Sequence, residues 1–298
     1  MEYHKPVLLT ESIEGLKIKP SGIYVDATFG GGGHSKSILN GLDDKGHLFA
    51  FDQDEDAKRN VWDDDRLTFV QSNSRHLTRI MEYYDVSSVD GVLADLGVSS
   101  WQFDNPERGF SYREDHALDM RMNQQQEVTA ANIVMTYSED ALVALLSDYG
   151  QVRNAKTLAR RLVECRDAGD IRTIGDLLQA MEPCIWGNRV RYLSQVFQAL
   201  RIEVNDEIGA LHDLMESSIE LLSPGGRLVV ISYHSVEDQV VKRWMKAGNR
   251  EGVVVTDDTG HRKIPLKMLT KKPTVPTDEE IELNNRARSA KLRIAVKK

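Results

Sequence analysis

The sequence predicts an α/β fold: a parallel sheet covered on both faces and interrupted after its fourth strand by a helical insertion. Three observations carry this. Short β-rich apolar runs alternate with helical segments over the first hundred or so residues, as βαβ units do. The alternation stops near Asn105, and helical signals then run alone for about a hundred residues. Strand pattern returns at Arg227.

In chain order, the first strand is Ile23–Asp26, stopped by Ala27-Thr-Phe-Gly-Gly-Gly-Gly33 and followed by a helix from Ser35 to Leu42 that closes near Gly41. A second strand spans His47–Asp52, a polar helix starts near Asp54, a third strand covers Leu67–Val70, a helix runs from Leu77 to Tyr84, and the fourth strand is Asp90–Asp95. In the insertion, Ser138 can cap Glu139–Asp148, Asn154 precedes a helix over Ala155–Arg166, and Thr173 can cap Ile174–Met181. Val196, Leu200, Val204, Ile208 and Leu211 keep helical spacing in one long helix reaching Leu222, which Ser223-Pro-Gly-Gly226 stops. Strands follow at Arg227–Ser232, Gly252–Thr256 and Lys291–Val296, with a helix over Val236–Lys246. The α/β domain is therefore expected to be discontinuous, 1–104 with 205–298, around an insertion at 105–204.

Apolar residues make up 41% of the 298 and charged residues 28%, which excludes a disordered or low-complexity chain. Cys165 and Cys184 fit neither a disulfide framework nor a CxxC motif, so reduced thiols in a cytoplasmic protein are expected. No apolar run is long enough to span a membrane, and no metal site is expected. The net charge of −8 is unevenly spread: residues 1–150 hold 13 Lys/Arg against 26 Asp/Glu, and residues 151–298 hold 25 against 20. Such asymmetry points to a polyanion-binding surface on the second half, against the plainer reading of solvated helices.

The chemistry concentrates at the strand ends. Four successive glycines remove every Cβ from the first turn, so a ligand can lie against the backbone beside a helix start that offers free N–H groups. The turn does not complete G-x-G-x-x-G, because Ser35 or Lys36 stands where the third glycine belongs. Asp52, 19 residues beyond Gly33, is placed to accept hydrogen bonds from a ribose. Asp95 would repel the pyrophosphate of NAD but welcome a cationic nucleoside. Either aspartate alone reads equally as a strand-end cap; together with the turn they fit S-adenosylmethionine, which has an adenosine, an amino-acid tail and a sulfonium charge.

Several strings reach a specific family. His4-Lys-Pro-Val-Leu-Leu9, DATFGGGGHS (Asp26–Ser35), ADLGVSSWQFD (Ala94–Asp104), ERGFS (Glu107–Ser111), LDMRM (Leu118–Met122), FQALRIEVNDE (Phe197–Glu207) and PGGRLVVISYHSVED (Pro224–Asp238) closely resemble the ribosomal RNA small subunit methyltransferase H family, RsmH or MraW. The resemblance spans nearly the whole chain. It implies a class I Rossmann-like S-adenosylmethionine-dependent methyltransferase sheet, with transfer of a methyl group to the N4 amine of a cytidine near the decoding centre of 16S rRNA in the small ribosomal subunit. Carried onto matching positions, its cofactor contacts fall on Gly32, Gly33, His34, Asp52, Asp95 and Gln102. Ser74 stands where the family commonly has an aromatic residue; it can touch the adenine edge without stacking.

The DNA-type amino-methyltransferase motif Asn/Asp-Pro-Pro-Tyr/Phe is replaced here by Asp95-Leu-Gly-Val98, so that catalytic motif cannot be carried over; Asp95, which can bind cofactor, accept the amine hydrogen or do both, ranks first, with His234 and Ser235 as further candidates. Asp119 reads equally as the partner of a neighbouring arginine. Trp101 and Tyr112 offer faces to a flipped cytosine, packing being the commoner role. RNA contacts are expected on the insertion, including Arg160, Arg161, Arg189 and Arg191, and on Arg286, Arg288, Lys291 and Arg293 near the end. A homodimer is left open. The rival readings are an NAD-dependent oxidoreductase and an RNA-binding assembly factor without catalysis.

Overall fold

A computed structural model describes residues 6–298; His4 and Lys5 of the first quoted string lie outside the described residues. The elements in chain order are α1 (Leu9–Leu16), β1 (Ile23–Asp26), α2 (Gly33–Leu39), β2 (His47–Asp52), β3 (Leu67–Gln71), α3 (Leu77–Tyr83), β4 (Val89–Asp95), α4 (Ser100–Asp104), α5 (Ala130–Thr136), α6 (Glu139–Asp148), α7 (Ala155–Ala168), α8 (Ile174–Met181), α9 (Arg189–Asn205), α10 (Glu207–Leu221), β5 (Leu222–Ser232), α11 (Ser235–Ala247), β6 (Val255–Thr256), β7 (Arg262–Lys263), β8 (Leu266–Met268), α12 (Asp278–Leu283) and β9 (Lys291–Lys297). They divide between two compact units, one running up to Gly97 and again over Ile208–Lys298, the other Val98–Glu207.

The first unit is an α/β Rossmann-like sheet of seven strands in the order β3-β2-β1-β4-β5-β9-β8. Strands β1 to β5 pair in parallel, and β9 runs antiparallel to both β5 and β8. Alternation along the strands gives two apolar faces. Val25, Phe49, Val92 and Val230 pack with Leu211 and Met215 of α10 and Trp244 of α11. Tyr24, Leu48, Leu93 and Val229 pack with Leu8, Leu16 of α1 and Ile38 of α2. Both faces are covered, which is what near-continuous apolar strands require. The register sets the site: Asp26 pairs with Ala50 and Leu93, so Asp52 and Asp95 each project two residues beyond it on either side. The chain reverses its strand order at β1, where open α/β sheets bind ligands.

The second unit is helical. Leu118, Ile133, Leu142, Leu158, Leu177 and Val196 share its core. Its helices begin where side chains satisfy free N–H groups: Ser138 accepts from Ala141, and Thr173 and Asp176 form a reciprocal box. Arg108, buried at 6% exposure, donates to the carbonyls of Arg121 and Met122, and Asn205 clamps the same loop through the Met122 N–H and the Met120 carbonyl. These bonds explain why ERGFS, LDMRM and the Asn205 segment go together. Asp119 pairs with Arg121 at 2.7 Å.

Three local expectations change. The long helix through Leu222 is two helices, because Asp206 takes a left-handed conformation (φ 45°) that Asp tolerates better than most side chains, while the apolar spacing continues across the break. Ser223–Gly226 is not a simple helix stop: β5 begins at Leu222 and bulges there, so Leu222 pairs with Val89 and Arg227 with Gly91. The strand at Gly252–Thr256 reduces to Val255–Thr256, hairpinned with Arg262–Lys263 outside the main sheet. No described helix is long and apolar enough to cross a membrane.

Candidate active site

The glycine turn meets both acidic tips. Gly30 turns at φ 50° and its N–H donates to Asp52 Oδ2 at 2.7 Å, while Asp52 Oδ1 accepts from the Asp54 N–H at 2.9 Å. Across the turn, the Asp95 N–H donates to Thr28 Oγ1 at 2.7 Å, and His34 Nδ1 lies 3.8 Å from Asp95 Oδ2. A third carboxylate, Asp26, is fully buried beneath them and accepts from Ser35 Oγ at 2.6 Å and from the Thr28 N–H at 3.1 Å. The turn therefore holds its shape by bonding to the acids on which the ligand argument rests.

This arrangement is electrostatically loaded. Burial pushes the Asp52 carboxyl up to about 6 against the opposing pull of the Asp54 and Gly30 N–H groups, and nearby Asp26 adds to the rise. Burial likewise pushes Asp95 up to about 6, opposed by His34 and the Tyr233 hydroxyl and reinforced by Asp26 and Glu237. Asp26 is itself raised, chiefly by burial. A cation placed among the three would relieve that strain.

Of the sequence-predicted residues, Gly32, Gly33, His34, Asp52 and Asp95 come together in this unit. His34 is buried, its Nε2 bonded to the Val7 carbonyl at 3.2 Å. Since a carbonyl only accepts, Nε2 carries a proton and Nδ1 faces Asp95. A Cβ on Gly33 would collide with Pro6, and one on Gly32 would meet Trp62, whereas among the described residues one on Gly31 would meet nothing within 4 Å. Gly31 thus borders open space and marks the floor on which a ligand can rest. Ser74 opens a short 3₁₀ turn after β3, capped by Asn73 and anchored where Arg75 pairs with Asp213 at 2.7 Å. Gln102 lies in the helical unit, where its side-chain oxygen accepts from the Ser99 N–H at 2.9 Å in the capping box of α4.

His234 has a structural task. It is the N-cap of α11, Nδ1 accepting from the Glu237 N–H at 3.4 Å while Nε2 lies 3.0 Å from Glu237 Oε1. The residue that sequence reasoning passed over is its neighbour. Tyr233 donates its hydroxyl to Asp95 Oδ1 at 2.8 Å, and burial, with the Asp95 charge next, holds its phenol far above the ordinary value. The signal was its place directly after Ser232, at the end of β5 beside β4. Tyr112 packs edge-on against Phe197 at 5.3 Å, while Trp101 is 47% exposed.

The donor and acceptor set fits an adenosyl sulfonium. Asp52 keeps acceptor capacity for ribose hydroxyls, the open backbone at Gly31 can take a small polar tail, and the buried acids favour positive charge. A profile of the MraW methylase family matches residues 1–298. Proteins named "Ribosomal RNA small subunit methyltransferase H" are similar along their whole lengths. That of Bacteroides thetaiotaomicron is 52% identical over 299 residues, covering 100% of this chain and 98% of its own. That of Parabacteroides distasonis is 53% identical, covering 99% and 97%, and that of Flavobacterium johnsoniae 52%, covering 100% and 98%. A match that takes in sheet residues and inserted helices alike places this chain in the MraW methylase family.

Proposed function

We propose that the chain transfers the methyl group of S-adenosylmethionine to the exocyclic N4 of a cytidine near the decoding centre of 16S rRNA, acting on the small ribosomal subunit. Its family membership makes it an S-adenosylmethionine-dependent rRNA methyltransferase; the base, the atom and the position are the reading argued here. Gly32, Gly33, His34, Asp52 and Ser74 would hold the cofactor. When bound, the cofactor supplies an electrophilic methyl group on a sulfonium.

The observation that carries the reading is the Asp95 carboxylate, held by Tyr233 through Oδ1 with Oδ2 left toward His34, at the mouth of a glycine turn. Cytosine N4 is a weak nucleophile because its lone pair is delocalised into the ring, so the protein must orient the amine and accept one of its hydrogens. On this reading Asp95 Oδ2 accepts that hydrogen bond, and a carboxyl near 6 is ionised at neutral pH. Tyr233 fixes the carboxylate's rotation, and alignment does the rest without a covalent intermediate. His234 acts on this reading through the start of α11 rather than on the amine.

The test is incubation with methyl-labelled S-adenosylmethionine and small subunits from an undermodified strain, followed by nucleoside mapping. N4-methylcytidine at one decoding-centre position is the expected product. Label on another base, or none, rejects the assignment, and RNA binding without transfer would favour the assembly-factor reading.

A further inference from the structure

Between residues 151 and 201 stand nine basic side chains, and the helical unit uses most of them internally. Arg166 donates to the carbonyls of Val134 and Tyr137, and Arg201 pairs with Glu207 at 2.7 Å. Arg160, Arg161, Arg172 and Arg189 each have an acidic partner, in Glu139, Glu164, Asp170 and Glu182. Arg153, Lys156 and Arg191 remain; among the described residues none of them makes an ion pair. All three are exposed.

These three share a neighbourhood. Arg153 and Lys156 flank the start of α7, Arg191 lies in the first turn of α9, and Asn154 Nδ2 bonds the Cys184 carbonyl at 2.8 Å, drawing the segment before α9 against the start of α7. In that segment stands Trp186, 63% exposed, with the Arg153 guanidinium 5.4 Å from its ring centroid. Gly187 follows at φ 77°, and among the described residues a Cβ there would meet nothing within 4 Å, so the backbone next to Trp186 is open. An exposed aromatic ring with a guanidinium on it and unpaired cations nearby offers together the apolar face and the positive charge that an unpaired nucleotide engages.

We propose that Trp186 and Arg153 form a stacking platform for an unpaired base of the RNA substrate, with Lys156 and Arg191 contacting the adjoining phosphates. This rests on the rRNA-methylating reading above and deepens it by naming a holding point in the helical unit. Unpaired bases present a π face to any aromatic ring, and a guanidinium stacked on the same ring presents a second face plus charge. Charge complementarity selects RNA over an apolar protein partner, because the Arg153 guanidinium lies against the indole and Lys156 and Arg191 stand exposed in the first turns of α7 and α9.

The test uses the full chain with two probes, a cytidine-containing single-stranded oligoribonucleotide and undermodified small subunits. Trp186→Ala should weaken RNA affinity roughly tenfold, whereas Trp186→Phe should keep most of it. Arg191→Ala should lower the slope of log affinity against log salt by about one unit, while Trp186→Ala leaves that slope unchanged. S-adenosylmethionine affinity and melting temperature should stay at the parent value in all three. Unchanged RNA affinity in Trp186→Ala, alone or with a loss of self-association, overturns the platform. If the parent binds RNA in this way yet makes no N4-methylcytidine, the function assigned above fails while the platform stands.

Discussion

In the sheet unit the carboxylates of Asp26, Asp52 and Asp95 face inward around one turn, and burial raises all three. In the helical unit Asp119 is paired with Arg121, and Asp176 is lowered by the N–H groups of Arg172 and Thr173. The same side chain is under strain in one unit and satisfied in the other. Stability explains the helical arrangement, since Asp119 completes an ion pair and Asp176 a helix cap. It does not explain three poorly compensated acids packed together, and strained ionisable groups at a strand-end crevice are what ligand chemistry requires.

The sharpest way to break this comparison is Asp95→Asn. The amide keeps the size and can still accept from Tyr233, so the fold should survive, while the charge facing the amine is lost. Methyl transfer should fall by about 10²- to 10⁴-fold in single-turnover assays. The melting temperature at pH 7 should hold or rise, because a buried charge is removed. A variant with parental rate would show that Asp95 only closes a strand.

Next in size is the response to pH. Because the folded carboxyls of Asp52 and Asp95 lie near 6, above the unfolded value, the stability they contribute is fully present below the unfolded pKa and is lost as pH rises through about 6. A cationic ligand reverses the balance by favouring the ionised forms. Affinity for S-adenosylmethionine, measured by calorimetry, should therefore fall as pH drops from 7 to 5, by up to about tenfold per pH unit for each group. S-adenosylhomocysteine, which lacks the sulfonium charge, should lose less. Equal pH slopes for the two would sink the electrostatic account.

The contrast also explains what could be read in advance. Strands β1, β2 and β4 and their acidic tips were legible because covered parallel strands are continuous apolar runs and because glycine has one backbone meaning at a tight turn. Asp206 was not legible: one residue's φ breaks a helix without disturbing the apolar period. Tyr233 was hidden because its value lies in a hydrogen bond across two strands, from β5 to Asp95 on β4, which no local pattern encodes. Similarly, counting charges gave Arg293 to an RNA surface, whereas it is buried against Asp238 at 2.6 Å. Trp186 was invisible for the complementary reason, since exposure belongs to the folded unit.

A smaller effect separates ligand from fold within the turn itself. Gly31→Ala adds a methyl where none of the described residues stands within 4 Å, so the melting temperature should not move, while cofactor affinity should drop several-fold as the methyl enters the floor. Gly33→Ala drives a Cβ into Pro6 and should lower stability first. If Gly31→Ala binds cofactor normally, the ligand does not lie on that backbone.

The smallest change tests the satisfied side of the comparison. Thr173 accepts from the Asp176 N–H at 3.2 Å, and Asp176 Oδ2 returns the bond by accepting from the N–H groups of Thr173 at 2.9 Å and Arg172 at 3.0 Å. Thr173→Ala removes half of the box and should cost about 1 kcal/mol of stability in a denaturant titration. The lowered Asp176 carboxyl contributes stability above its unfolded pKa that is lost as pH falls through the folded value, a sign opposite to that of Asp95. Asp176→Asn should accordingly cost more at pH 7 than at pH 3, with cofactor affinity unaltered at pH 7. An equal cost at both pH values would mean that the acid's charge does not support the start of α8.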